Sequence, residues 1–282
     1  MPSVVALGRK SEIPKSNAPP PAPIIVGTGF VVDEDGLIAT NRHVLEELER
    51  WPGEYNFVAL LHHSESEAGG KFVSVVFRKL IGTFWLGSFT RFGRSSPDSN
   101  PDLGLAVIDV RGLPALMVRP GSLSLQPGVE VVSVGFPKGK VSLSPHRREI
   151  PSPFHPFARR GIVSSVLPYP SEEPDAFTVD ISPEGAAAGS PICSADDGAV
   201  LGVLYGGYDG TPVTYGVPGY LLASAIARVH EQWNPNPDLP LLSETVQREI
   251  DEPVERPIEA PVKTDEQMDW DSLRRFIEKE KR

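Results

Sequence analysis

The chain has 282 residues, 40% of them hydrophobic, and a formal net charge of -10, enough apolar material for one large or two small domains with a substantial core. The acidic balance excludes nucleic acid and anionic lipid as principal partners, since both demand clustered Lys and Arg to neutralise phosphate. No apolar run reaches the roughly 20 residues of a spanning helix, the first residues lack the basic start and apolar stretch of a signal peptide, and Cys193 is the only cysteine, so neither a membrane anchor nor an internal disulfide is expected and a reducing cytoplasm is the expected compartment.

Residues 1–23 hold six prolines, with "PPPAP" at 19–23, a composition that predicts an extended or disordered leader rather than a packed element. From Ile24 to about Val217 the texture changes to short β-rich runs separated by Gly, Pro, Asp and Ser: "IIVGTGFVVD", "GLIATNRHV", "YNFVALL", "KFVSVVF", "LGLAVIDV", "VEVVSVGF", "GIVSSVL", "AFTVDI", "AVLGVLYGG" and "PVTYGVP". Many short strands at regular spacing predict an all-β sandwich or barrel arrangement. Gly36, after "DED", marks a hairpin turn. The segment 219–233, "GYLLASAIARVHEQW", instead sets Leu221, Leu222, Ala225, Ile226 and Val229 on one helical face, so a helix is expected to close the β domain at 24–233. Residues 234–282 hold six prolines, thirteen acidic and eight basic residues. They read as a Pro- and Glu-rich linker ending in a short amphipathic helix with Trp270, Leu273, Phe276 and Ile277 on one side, on which a regulatory protein would dock.

Three blocks carry chemistry: "GTGFVVDEDGLIATNRHV" sets His43 just after a hairpin, "NPDLGLAVIDV" sets Asp102 at the start of an apolar strand, and "EGAAAGSPI" follows at 184–192. A hydroxyl is a poor nucleophile near neutral pH and needs an imidazole to take its proton, which in turn needs a carboxylate behind it. Taken singly, His43 reads equally as a polar hairpin-end residue and Asp102 as a strand-entry cap. Asp98 and Asp109 are fallback carboxylates. The pair His62–His63 reads as surface histidines, because adjacent strand residues face opposite sides. No metal or organic cofactor is called for. The connection at 142–160, rich in Arg, His and Pro, reads as a regulatory or substrate-facing loop.

Together with "VGFPKG" at 134–139 and "TYGVP" at 214–218, the ordered set resembles the trypsin-like serine proteases, and within them the HtrA/Deg-like bacterial branch, over roughly residues 24–232. The resemblance implies two six-stranded antiparallel β-barrels, here followed by a C-terminal helix and an extended acidic tail, and peptide-bond hydrolysis in protein or peptide substrates. It makes His43 the base, Asp102 its orienter and residue 188 the nucleophile, three residues before Pro191. That residue is Ala188, which has no nucleophile to offer. The retained His43, Asp102, Gly189 and Pro191 favour a serine replaced by alanine over a natural pseudoprotease that holds peptides without cutting them. Ser190 does not fit the register as a substitute. By the family's spacing the oxyanion hole takes the backbone N–H groups of Ala186 and Ala188, with Ala186 standing where glycine is usual. The primary pocket takes its floor from Ser182 and its walls from Tyr205, Gly206, Gly207, Thr214 and Tyr215; Ser182 lacks the buried negative charge of a strict Arg/Lys pocket, which demotes a basic substrate residue, while Asp180 and Asp209 are nearby acids that keep it in play. Departing from typical HtrA proteins, no PDZ-like second domain is expected after residue 233, so trimeric assembly is not carried over.

Overall fold

The computed structural model describes residues 2–9, 23–50, 56–65, 71–86, 101–122, 125–136, 156–181, 188–207 and 213–251. In chain order the elements are β1 (Val4–Arg9), β2 (Ile24–Asp33), β3 (Leu37–Thr40), α1 (Arg42–Glu49), β4 (Asn56–Glu65), β5 (Lys71–Arg78), β6 (Leu80–Leu86), β7 (Leu103–Ile108), β8 (Glu130–Gly135), β9 (Phe157–Leu167), β10 (Ala176–Val179), β11 (Pro191–Ser194), β12 (Val200–Gly207), β13 (Thr214–Pro218), α2 (Gly219–Gln232) and α3 (Leu242–Asp251).

Two antiparallel β units follow one another. The first is a curled seven-stranded sheet in the order β5-β4-β1-β2-β3-β7-β6, and the second is a closed barrel in the order β10-β13-β12-β11-β8-β9. The trypsin-like architecture expected from the sequence is therefore present, with a difference in the first half: seven strands where six were expected. The seventh strand is β1. Residues 4–9 were expected in an unpacked leader, yet Val4, Val5, Ala6 and Leu7 are buried, and β1 pairs with β2 on one side and β4 on the other. The proline content of 10–23 masked a strand whose residues are buried on both faces and so show no polar alternation.

Side-chain alternation distributes the apolar residues over three cores. Val5, Leu7, Val31, Ile38, Val58, Leu60, Ala106 and Ile108 fill the interior of the first unit beneath α1. Val131, Val163, Phe177, Val179, Ile192 and Leu204 fill the second barrel. The opposite faces of β1–β3 and β12–β13 meet along a third core containing Phe30, Phe57, Val203, Val217 and, from α2, Leu222, Ala225 and Val229. This last seam holds the two β units together and leaves the site between them.

In the barrel, Phe177 is fully buried because two glycines make room for its ring. A Cβ on Gly202 would meet its Cε1 at 2.5 Å, and one on Gly216 its Cζ at 2.6 Å. Phe177→Ala should therefore leave a cavity that the facing glycines cannot fill, lowering stability by about 3–5 kcal/mol in a urea titration.

The expected helix at 219–233 is α2, whose buried face carries Leu222, Ala225 and Val229. Past it the chain remains structured where a linker was expected: Arg111 N–H donates to the Pro240 carbonyl at 3.1 Å, Leu242 N–H donates to the Arg111 carbonyl at 2.8 Å, and Leu242 and Val246 are buried. The first compact unit accordingly runs from Met1 to Val246, and Gln247–Arg282 form the second. The tail's Trp270, Leu273, Phe276 and Ile277 lie outside the described residues.

Candidate active site

The β2–β3 hairpin turns at Gly36, with φ +96°, and delivers the chain through β3 directly into α1. His43 thus follows the hairpin, as the sequence suggested, and sits in the first turn of a helix. β3 pairs with β7 so that Thr40 lies opposite Gly104. That register brings the start of β7, and with it Asp102, beside the start of α1.

The contact is intimate. The His43 Nδ1 lies 2.6 Å from Asp102 Oδ2, and the His43 backbone N–H donates to Asp102 Oδ1 at 3.1 Å. The carboxylate is almost wholly enclosed, its side chain 4% exposed, whereas the imidazole is 37% exposed. Since a carboxylate oxygen accepts, Nδ1 is the nitrogen that carries the proton when the ring is neutral, and the lone pair then falls to Nε2. Asn41, fully buried, donates from Nδ2 to the Asp102 main-chain carbonyl at 2.9 Å.

Residue 188 is seated by backbone bonds that tie the two β units together. Its carbonyl accepts the Thr28 N–H at 2.9 Å, while on its other side Gly189 N–H donates to Leu204 O at 2.8 Å and Leu204 N–H to Ser190 O at 2.9 Å. Thr28 is itself held by Thr40, whose hydroxyl donates to the Thr28 carbonyl at 2.7 Å, and its own hydroxyl accepts the Phe136 N–H at 2.9 Å. Gly189 lies at φ +85°, and a Cβ there would collide with the Thr28 carbonyl and the Thr40 hydroxyl. Thr28, Thr40 and Asn41 were missed by sequence reasoning. All three sit inside the quoted block "GTGFVVDEDGLIATNRHV", but threonines there read as ordinary strand residues.

The other predicted residues divide as follows. Tyr205, Gly206 and Gly207 end β12, and Thr214 and Tyr215 begin β13. The ladder shifts register between Leu204 and Gly206, so Tyr205 falls on a bulge, a device that re-aims a side chain. The Tyr205 and Tyr215 rings lie 6.0 Å apart, tilted by 35°, and a Cβ on Gly206 would meet nothing within 4 Å. Thr214 is fully buried, its hydroxyl donating to the Ile181 carbonyl. Ser182 and Ala186 lie outside the described residues, as do Asp98 and Asp209 and all but the last five residues of the 142–160 connection.

Several alternatives receive structural roles. Asp109 is held by Arg78 in a two-pronged pair, at 3.0 and 2.9 Å, at the far end of β7 from Asp102. Asp180 Oδ1 accepts the Ile162 N–H at 2.6 Å, which engages this carboxylate with β9. Ser190 is fully buried and hence no exposed nucleophile. The Cys193 thiol is pushed up to about 11, by burial first and by the charge of Asp197 second. It therefore stays protonated and unreactive near neutral pH. Iodoacetamide at pH 8 should alkylate it about a hundredfold or more slowly in the folded protein than after denaturation, as intact mass over time would show.

An architecture of two antiparallel β units with a histidine–carboxylate pair beside their seam is that of a trypsin-like peptidase. The chain belongs to this family: the model for the trypsin-like peptidase domain matches residues 27–203. No curated protein sequence matches the chain. Among solved structures it is similar to the HtrA-type protease AlgW with decapeptide, at 18% identity and a TM-score of 0.52, covering 82% of this chain and 65% of that one. An alanine variant of AlgW with decapeptide gives 18% identity and a TM-score of 0.50 over 82% and 64% of the two chains. Deg5 gives 20% identity and a TM-score of 0.46 over 80% and 86%. The chain thus spans just under two thirds of the AlgW length.

Proposed function

We propose that this is the scaffold of a serine endopeptidase that hydrolyses peptide bonds in protein substrates, and that the chain with Ala188 is its inactive form. The observation that carries the reading is the His43–Asp102 pair at 2.6 Å, one partner enclosed and the other open to solvent. In the form with serine at 188, His43 Nε2 takes the hydroxyl proton as the oxygen attacks the substrate carbonyl, and returns it to the leaving amine. Asp102 holds the imidazole in the tautomer this requires and stabilises the imidazolium. The N–H groups of residues 186 and 188 stabilise the oxyanion.

Substrate would lie along the end of β12, its backbone pairing beside Gly206 and Gly207, with side chains received by a pocket of Ser182, Tyr205, Thr214 and Tyr215. The paired Tyr205 and Tyr215 rings make the described part of that wall aromatic, which favours an apolar substrate residue.

The second reading, a protein that holds peptides without cutting them, is favoured by Ala188 itself. One experiment separates the two: Ala188→Ser incubated with a library of protein-derived peptides, cleavage read by mass spectrometry. Cleavage that disappears on His43→Ala supports the endopeptidase. Peptide retention without cleavage in the serine form supports the binder.

A further inference from the structure

We propose that Asn41 is a positioning residue for the acid–base pair: its amide fixes the main chain of Asp102, and thereby the place of the carboxylate under His43. This rests on the reading of His43 and Asp102 given above.

Asn41 occupies the N-cap position of α1, with extended backbone at φ -85° and ψ 151°. An asparagine there normally turns its side-chain oxygen onto the exposed N–H groups of the first helical turn, but Asn41 makes no such side-chain cap bond. It reaches instead across 61 residues of sequence to the Asp102 carbonyl, at 2.9 Å. Because that partner is an acceptor, the amide atom facing it must be the NH2 group. The side-chain oxygen is left buried, with no donor among the described residues, an arrangement the fold tolerates at a cost. A residue that gives up the cap and leaves its own acceptor unmatched is retained for its remaining bond.

That bond completes a three-point hold. Positions 41 and 43 grip Asp102 at its main-chain carbonyl through Asn41, at Oδ1 through the His43 N–H (3.1 Å) and at Oδ2 through the His43 ring (2.6 Å). The latter two grips act on the carboxylate from His43 itself, and the β3–β7 ladder ends with Thr40 opposite Gly104. Asn41 supplies the side-chain tether that holds the main chain of Asp102 itself to the start of α1. The other acids near His43 on its own helix are occupied: Glu46 pairs with Arg42 at 2.6 Å and Glu47 with Arg50 at 2.9 Å. Asp102 is therefore the carboxylate whose placement governs the ring.

The test uses Asn41→Leu, which keeps the branched four-atom shape of the side chain without its polar atoms, and Asn41→Ala. In the chain as it stands, the Nδ1 proton shared by His43 and Asp102 should give a low-field proton NMR signal, and both variants, still folded by their amide spectra, should lose it to solvent exchange. Introduced beside Ala188→Ser, the same variants should lower kcat about 10- to 100-fold, the range expected from sub-ångström to ångström misplacement of a catalytic group, with KM unchanged. A folded variant that keeps the parent signal overturns the proposal. So does unfolding of both variants, since Asn41 would then be a structural residue. If Ala188→Ser itself cleaves nothing, the endopeptidase reading fails, while the NMR signal still decides the role of Asn41.

Discussion

Asp102→Asn, made in a chain that also carries Ala188→Ser, should lower kcat about 10⁴-fold, the loss associated with a wrong histidine tautomer, with little change in stability. The direction follows from two distances. The His43 backbone N–H donates to Oδ1 at 3.1 Å, so in asparagine the oxygen must stay at that position to accept it. The amide NH2 is then forced to the place of Oδ2, 2.6 Å from His43 Nδ1. Two donors cannot face one another, so Nδ1 gives up its proton and Nε2 takes one. A protonated Nε2 on a neutral ring has no lone pair for the serine proton, and the site loses its base with its shape intact. Single-turnover kinetics together with urea unfolding would show the loss of rate without a matching loss of stability.

Gly189→Ala should be the most disruptive single-methyl change at the site. Its φ of +85° is strained for any residue with a Cβ, by about 1–2 kcal/mol, and the new methyl group collides with the Thr28 carbonyl and the Thr40 hydroxyl. Overpacking against fixed backbone adds about 1–3 kcal/mol. Relief requires moving the chain at 188–190, which breaks the Thr28 N–H to Ala188 carbonyl bond or the Gly189 N–H to Leu204 carbonyl bond, at 2.9 and 2.8 Å. The first movement frees residue 188 from β2 and the second frees its neighbour from β12, so either unseats residue 188. A lowered midpoint in thermal unfolding and, in the serine form, a drop in kcat of about 10² or more are expected. A variant with unchanged midpoint and unchanged kcat would contradict this assignment.

His43 and Asp102 were legible in the sequence because each lies in a short local pattern, a polar residue just after one apolar run or just before the next. The assignment of position 188 rests on the register that Pro191 sets. Asn41, Thr28 and Thr40 were not, since their meaning lies in contacts 12 to 108 residues away, while locally the threonines read as ordinary strand residues and the asparagine as a helix cap. The same logic separates the elements. All ten quoted β-rich runs fall on strands, whereas β1, β6 and β11 were overlooked: the first borders a proline-rich stretch, the second, "LIGTFWL", carries an interior glycine, and the third is four residues beginning with proline. The helix α1 was overlooked because eight residues give barely two turns of periodicity. The structured segment at 236–246 was hidden for another reason. Its stability comes from Arg111 and the core around Val110 and Leu113, which no local pattern reveals.

The most direct measurement of the central claim is covalent labelling of the Ala188→Ser protein with a fluorophosphonate, which reacts only with a serine activated by a neighbouring base. The account predicts one label per chain, located at residue 188 by peptide mapping and lost in the His43→Ala double variant. An unlabelled, folded Ala188→Ser protein, or label that persists without His43, would contradict it.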